Sequence, residues 1–515
     1  MPATAGAAQS PHEIAASGTG RSRALRPGAL DARLSLLLGA GGDERIGLDP
    51  LTGRTRYGTG PGPAPTEIWF SSSTASAISP AGYRAGLRAL EALHAPSPTR
   101  RLQLQDWLNG LRSELVAGFG RSNSEAVLSA SGTDAELIVL AIASSLLARP
   151  LTNIVVAPDE TGSGVGKAAS GCHFLPTSCL GGPVPAGERL AGWADADIEV
   201  VCIDIRSPDG RPREPVAIDR DVAVAAERAL ARGRGVLLHV LDASKTGLSG
   251  PSRDMTAWIA DQAPERVCVM VDACQLRCPP SRLRSDLDRG FMVLITGSKF
   301  AGGPPLSGAL LLPEAVATRL RAAPRPPAGL ADYSARFDWP EALQATFASE
   351  LAATANLGAG LRWTAALAEI ARFAAIDPAL VGRFLARFVG EVHARAAASL
   401  GMALLHDAAH GAAPTPSIVP LAVRRRGGWA SRAEAAELWA GLRTPDAGHG
   451  RIIHVGQPVA VGPRAVLRVC ASAPQASDAA DRIAAGASFE EAFAPVSRDL
   501  EALFAKLGHL CGDCA

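Results

Sequence analysis

Six short apolar runs, separated by helix-like stretches, limit what this chain can fold into more than any other feature. They are Asn153 to Ala157, Ile198 to Ile203, Gly235 to Leu241, Arg266 to Asp272, Phe291 to Ile295 and Gly308 to Leu312. Each is nearly continuous in hydrophobicity instead of alternating, which predicts strands buried on both faces. Such strands alternating with helices predict an α/β layer structure around a mostly parallel, mixed sheet. Ala352 to Ile376 and Pro378 to Leu400 read as two long helices. Beyond them, Ser417 to Val423, Arg432 to Leu442, Arg451 to Val455 and Ala465 to Ala471 read as the short strands and helices of a smaller C-terminal α+β domain. The expected division is a loosely ordered, Gly/Pro/Ala-rich arm over 1–65, a large domain over 66–375 and a small domain over 376–515, with Pro414 to Pro420 leading into the last.

The bulk properties exclude several classes of partner. A net charge of +1 with 20% charged residues gives no electrostatic case for nucleic acid or an acidic membrane surface. The triplet Arg424-Arg425-Arg426 reads as a solvated strand end. No apolar run approaches the ~18 residues of a membrane span, and no contiguous apolar segment marks the N-terminus as a secretion signal. A cytoplasmic protein is expected. Nine cysteines in a chain of 515 residues, with Cys202, Cys268 and Cys470 inside strand-like runs, read as reduced, buried thiols. The tail His509-Leu-Cys511-Gly-Asp-Cys514 has ligand-like spacing but lacks the fourth ligand of a structural zinc site, so no metal is expected.

Cations are supplied by 47 arginines and only four lysines: Lys167, Lys245, Lys299 and Lys506. Where arginine is the default, a retained lysine points to a need for an amine, because arginine cannot be deprotonated and forms no Schiff base. Lys299 ends the apolar run that starts at Phe291 and precedes the turn Phe300-Ala-Gly-Gly-Pro-Pro305. An amine at the edge of a hydrophobic sheet is where covalent catalysis is expected. Val271-Asp272-Ala273-Cys274-Gln275 places a carboxylate at the carboxyl end of another buried strand, where open α/β sheets gather their sites. A buried carboxylate needs a cation, and alone Asp272 reads equally as the cap of the next helix. Ser129-Ala-Ser131-Gly132-Thr133-Asp134-Ala-Glu-Leu opens an apolar helix, and reads either as an N-cap or as an anion site at a positive helix end.

Taken in chain order, Ser131-Gly-Thr-Asp134, Asp272-Ala-Cys-Gln275 and Thr296-Gly-Ser-Lys299 resemble the fold type I pyridoxal phosphate (PLP) enzymes, in the class V aminotransferase and cysteine desulfurase-like branch. The likeness covers roughly residues 65–475. It implies that Lys299 holds the cofactor covalently and shuttles protons, and that Asp272 keeps the pyridine nitrogen protonated. It implies that Gln275 and Ser244 approach the ring's phenolic oxygen, and that Ser131, Gly132, Thr133 and Asp134, together with Thr296 or Ser298, form the phosphate site. Ala353-Thr354-Ala355-Asn356 is similar to a segment that reaches the neighbouring subunit's phosphate, which implies a homodimer with shared active sites. Arg468, in Leu467-Arg468-Val469, occupies the place of an arginine that holds the substrate carboxylate.

The departures from the family pattern carry information too. Gly162 stands where relatives often stack a histidine on the cofactor ring, leaving Trp69, Phe70 or His173 to cover it or the space to the substrate. Ser298 precedes the lysine where many relatives have histidine. No cysteine lies between Cys278 and Cys470, the interval that carries the sulfur-accepting cysteine of desulfurases, so that activity is disfavoured. The implied function is aminotransferase-like chemistry on a small amino substrate. The alternatives are elimination or replacement at the β or γ carbon, carbon–carbon bond formation with a bulky substrate such as S-adenosylmethionine, or a non-catalytic PLP-fold sensor. His239 reads as a core residue, Lys245 as a loop amine facing substrate or solvent, and His454-Val-Gly456-Gln457-Pro458 as a strand-ending turn or a projection into the cleft.

Overall fold

The structure, a computed structural model, describes residues 27–94, 100–405, 417–425, 428–445 and 450–512. Arg426 and Cys514, and with them part of the basic triplet and of the C-terminal Cys pair, lie outside these residues. Thirteen strands form two sheets in the described chain: β1 Ile68–Phe70, β2 Glu125–Ser129, β3 Leu151–Val156, β4 Ile198–Ile203, β5 Gly235–Leu241, β6 Val267–Ala273, β7 Met292–Thr296, β8 Gly308–Leu312, β9 Met402–Leu404, β10 Ile418–Arg425, β11 Gly428–Trp429, β12 Ile453–Val461 and β13 Arg464–Cys470.

The large domain is a seven-stranded sheet in the order β2-β8-β7-β6-β5-β3-β4. β3 to β7 run parallel, and β8 alone runs against its neighbours, pairing antiparallel with both β7 and β2. Helices cover both faces, as the unbroken apolar runs require. The helix Gly132–Leu147 lies on one side, and from Ala135 to Ala143 every residue is buried. Helices Arg100–Phe119, Pro215–Ala231, Arg253–Gln262 and Pro280–Asp288 close the other side through Leu115, Val222, Ile259 and Leu283. Because the strands are parallel, the turns after β2, β3, β5, β6 and β7 all open on the same edge, where ligands of open α/β sheets bind.

The small domain is a sheet in the order β1-β12-β13-β10-β11 with β9 on β10, packed on helices Pro378–Ala398 and Phe489–Cys511. Its first strand does not come from the C-terminal region. Ile68–Phe70, which the sequence boundary puts in the large domain, pairs in parallel with Ile453–Val455. The segment 27–65, read from sequence as part of a loose arm, is packed: Leu34 and Leu38 of helix Pro27–Leu38 are buried against Leu361 and Ala365. Lys506 on the last helix is fully buried, and its ammonium donates to the carbonyls of Leu442 at 3.1 Å, Thr444 at 2.8 Å and Arg451 at 3.0 Å. Eight described cysteines are free; Cys268 and Cys470 are buried as expected, but Cys202, on edge strand β4, is exposed. Among the described residues no helix is long and apolar enough to cross a membrane.

Candidate active site

A cleft of about 380 Å³ lies at the carboxyl edge of the large sheet and is closed on its far side by the small domain. Ser131, Gly132, Thr133, Gly162, Asp272, Gln275, Thr296, Ser298, Lys299 and Arg468 all line it. Lys299 follows β7, and its carbonyl accepts the Ser76 hydroxyl at 2.9 Å, tying the lysine turn to the segment after β1. Asp272, on β6, accepts the Cys274 amide on Oδ1 at 2.9 Å.

The helix end is built by tight packing. Ser131 is the N-cap, accepting the Asp134 amide at 3.3 Å, while its hydroxyl donates to the Asp134 carboxylate. Arg45, from the segment read as an arm, donates to Asp43 at 2.6 Å, Ser131 at 3.0 Å and Asp134 at 3.3 Å. These bonds engage Ser131 and Asp134 internally, and Asp134 sits fully buried outside the cleft. The amides of Gly132 and Thr133, and the hydroxyls of Thr133 and Ser298, find no hydrogen-bond partner among the described residues. The Thr296 hydroxyl donates instead to the Cys274 carbonyl at 2.7 Å. Gly132 is required by space, because a Cβ there would lie 2.7 Å from Cys274 Sγ.

Arg468 enters from β13 and is 1% exposed. It donates to the carbonyl of Gln457 at 2.7 and 3.1 Å and to the Thr74 hydroxyl at 2.8 Å, with longer contacts of 3.4 Å to the Ser73 and Lys245 carbonyls. All of these acceptors are neutral. Burial pushes its pKa down to about 10, so it stays charged at neutral pH. Gly456, opposite it on β12, leaves it room: a Cβ there would stand 2.9 Å from Arg468 Cβ. Gln275 donates to the Ser73 carbonyl at 3.2 Å.

Other expected residues lie elsewhere. Ser244 is buried behind the cleft wall, donating to Glu160, which also holds Arg206 and Thr246. Thr354 is exposed in the turn before helix Leu357–Ala374, outside the cleft. None of the three rings considered for the cofactor face lines the cleft. Trp69 stacks on His454 at 3.6 Å, Phe70 is in the small-domain core, and His173 bonds Tyr333 at 2.8 Å. Tyr57 and Trp439 are the rings on the cleft wall, with Gln457 and Pro458 beside them.

Three groups were not singled out from sequence. Arg45 and Tyr57 come from a Gly/Pro-rich stretch whose long-range pairing leaves no local signal. Glu136 lies on the cleft floor, 2% exposed, with Oε2 3.5 Å from His239 Nδ1. Burial and the charge of Asp272 push the Glu136 carboxyl well above its usual range, and burial holds His239 neutral with a pKa of about 3. A sign of Glu136 was present: it is the sole charged residue from Ala135 to Leu147.

The arrangement defines a class: a two-domain chain with the fold type I architecture, whose cleft holds a lysine, an acid and an open helix end. The structural comparisons agree on the fold. The chain is similar to a NifS-like protein (TM-score 0.52, 12% identity, covering 85% of this chain and 99% of that one). It is similar to the cystine C–S lyase C-DES, in complex with its reaction product cysteine persulfide (TM-score 0.52, 15% identity, 86% and 97% covered). A third match is Oryza sativa TDC with PLP and tryptamine (TM-score 0.50, 15% identity, 87% and 84% covered). No protein-family model and no curated protein sequence matches the chain.

Proposed function

We propose that the chain is a PLP-dependent enzyme acting on an amino acid or a related amine. The observation that carries this reading is the convergence of the Lys299 amine, the Asp272 carboxylate and the partnerless Gly132 and Thr133 amides on one cleft. The residues fit the cofactor. Two amides and the Thr133 hydroxyl without partners at the positive end of a 16-residue helix, with the Ser298 hydroxyl on the same cleft, suit a phosphate, and a strand-end carboxylate suits a pyridinium nitrogen. When bound, PLP supplies an electron sink for negative charge at the substrate's α carbon.

The protein's own residues then have distinct tasks. Thr133 and Ser298 donate hydroxyls to the phosphate, and Asp272 holds the proton on the ring nitrogen. Lys299 anchors the cofactor through Nζ and, once displaced, takes and returns a proton there. Arg468, whose present partners are all neutral, would release its two long 3.4 Å contacts to the Ser73 and Lys245 carbonyls to take the substrate carboxylate. Thr354, exposed beyond the cleft, is free to reach a second subunit's phosphate, which is the basis for a homodimer.

Aminotransferase-like chemistry is the first reading. Elimination, replacement or carbon–carbon bond formation is the second, supported by the absence of a ring at Thr161-Gly162-Ser163 on the cleft wall and by the lyase among the structural neighbours. Conversion of the cofactor to its amine form by an amino donor supports the first, and a released leaving group the second. The whole reading is tested by adding PLP to the purified chain. A visible absorption band and a borohydride-fixed link to Lys299 are expected, both lost in Lys299→Ala. A variant that keeps the link refutes the assignment.

A further inference from the structure

The charges lining the cleft do not balance. Six cations face it: Arg45, Arg56, Lys245, Lys299, Arg432 and Arg468. Arg45 is paired with Asp43 and Asp134, and Lys299 has its covalent role under the proposed function. The remaining four, Arg56, Lys245, Arg432 and Arg468, have no carboxylate within ion-pair distance among the described residues. The lining acids serve them only at a distance: the Glu160 charge favours charged Lys245 and Arg468 without reaching ion-pair contact. Glu160 is held by Arg206, Ser244 and Thr246, Glu136 faces His239 and Asp272, and Asp272 is reserved for the ring nitrogen.

Lys245 is the most unusual of the four. Arg56 and Arg432 are exposed and solvated, whereas Lys245 is half-buried. Its ammonium has one long contact, 3.4 Å to the Asp159 carbonyl. The buried Arg468 and the half-buried Lys245 share a wall, since Arg468 Nη1 points at the Lys245 carbonyl at 3.4 Å. Burial, together with the charges of Arg468 and Lys299, pushes the Lys245 amine down to about 8. A buried guanidinium beside a half-buried ammonium, neither within ion-pair distance of a carboxylate, is costly unless an anion completes them. A substrate α-carboxylate satisfies Arg468 and leaves Lys245 still unmatched.

We infer that the substrate is an amino acid with a second anionic group, a carboxylate or a phosphoryl, on its side chain, and that Lys245 receives this group with Arg432 at the cleft mouth. This rests on the proposed function for the place of the α-carboxylate. A single-anion amino acid fills half of the basic wall; a dianionic one fills both halves.

The test uses the PLP-loaded enzyme and equilibrium titrations followed by absorbance. The probes are L-aspartate, L-glutamate and O-phospho-L-serine, set against L-asparagine, L-glutamine and L-serine. Dianionic members are expected to bind roughly 10- to 100-fold tighter than their neutral counterparts, the range of a hydrogen bond to a charged group. Whichever of the carboxylate and phosphoryl pairs shows the larger ratio identifies the anion. Lys245→Met should bring that ratio close to one, and Lys245→Arg should keep most of it. Equal affinities in the wild type, or a ratio that survives Lys245→Met, overturn the inference. A second measurement needs no cofactor: succinate should raise the thermal midpoint of the cofactor-free protein and do so less in Lys245→Met. If PLP gives no visible band the proposed function fails, and the succinate shift still decides for or against the anion subsite.

Discussion

Gly132→Ala tests how closely the open helix end is seated against the strand that carries Asp272. A methyl group there would lie 2.7 Å from Cys274 Sγ but 4.0 Å from Cys274 Cβ. Comfortable contact between such atoms is about 3.5–4.0 Å, so the methyl is short by about 1 Å against sulfur and not at all against carbon. Cys274 is buried and its backbone is fixed, by its amide on Asp272 at 2.9 Å and its carbonyl, which accepts Thr296 at 2.7 Å, so only rotation of the thiol within the core could relieve the contact. Overpacking of this kind costs ~1–3 kcal/mol, and replacing a helical glycine returns at most about 1 kcal/mol, so a net loss of about 1–2 kcal/mol is expected. Urea unfolding of the cofactor-free wild type, Gly132→Ala, Cys274→Ala and the double variant measures it. Removing the sulfur relieves the clash, so the double variant should recover, with a coupling energy of ~1–3 kcal/mol. PLP affinity should follow the same pattern, because the displaced amides are those of the proposed phosphate site. Additive effects of the two substitutions, or a Gly132→Ala protein as stable as the parent, would refute the reasoning.

Two further perturbations have definite signs. Glu136 has its pKa raised in the fold, so above the unfolded value near 4.5 the unfolded chain releases a proton that the folded chain keeps. Stability from this group is therefore full below that pH and falls as pH rises; Glu136→Gln should make denaturation midpoints less sensitive to rising pH, and an unchanged slope would count against a protonated Glu136. Lys506→Met leaves three carbonyls without their donor and should cost at least about 2 kcal/mol, while Lys506→Arg should rescue little, because a planar fork cannot converge on three acceptors as an ammonium does; a fully stable arginine variant in urea unfolding would exclude that account.

The large sheet was legible because its central strands are buried on both faces, and burial writes itself as unbroken hydrophobicity. Gly235–Leu241 and Gly308–Leu312 coincide with their apolar runs for this reason, while the edge strand Ile198–Ile203 is apolar in sequence but only partly buried. Glu125–Ser129 was missed: it starts on an acid and ends on a serine, leaving only three apolar residues between them. Ile68–Phe70 was not identified as a strand, because its three residues carry no pattern of their own and their pairing partner, Ile453–Val455, lies far along the chain. In the site, Lys299, Asp272, Gly132 and Thr133 could be read because backbone turns at strand and helix ends restrict residue type locally. Arg45 and the orientation of Ser244 could not, since each depends on contacts many residues away: Arg45 with Ser131, Ser244 with Glu160. Lys245 was visible as a rare lysine, but its lack of a counter-ion is a property of three dimensions only.

The origin of β1 has a consequence for how the protein is made. During synthesis Ile68–Phe70 leaves the ribosome early, and Ile453–Val455, the segment it pairs with, is among the last strands to emerge. The strands of the large sheet are complete once Leu312 has appeared, so that sheet can form while Ser73 and Thr74 still have no arginine to hold. Pairings between such distant segments form slowly and leave apolar edges uncovered meanwhile. The cleft is thus finished by a late clasp across the chain, and a fragment beginning after Phe70 would lack one half of it.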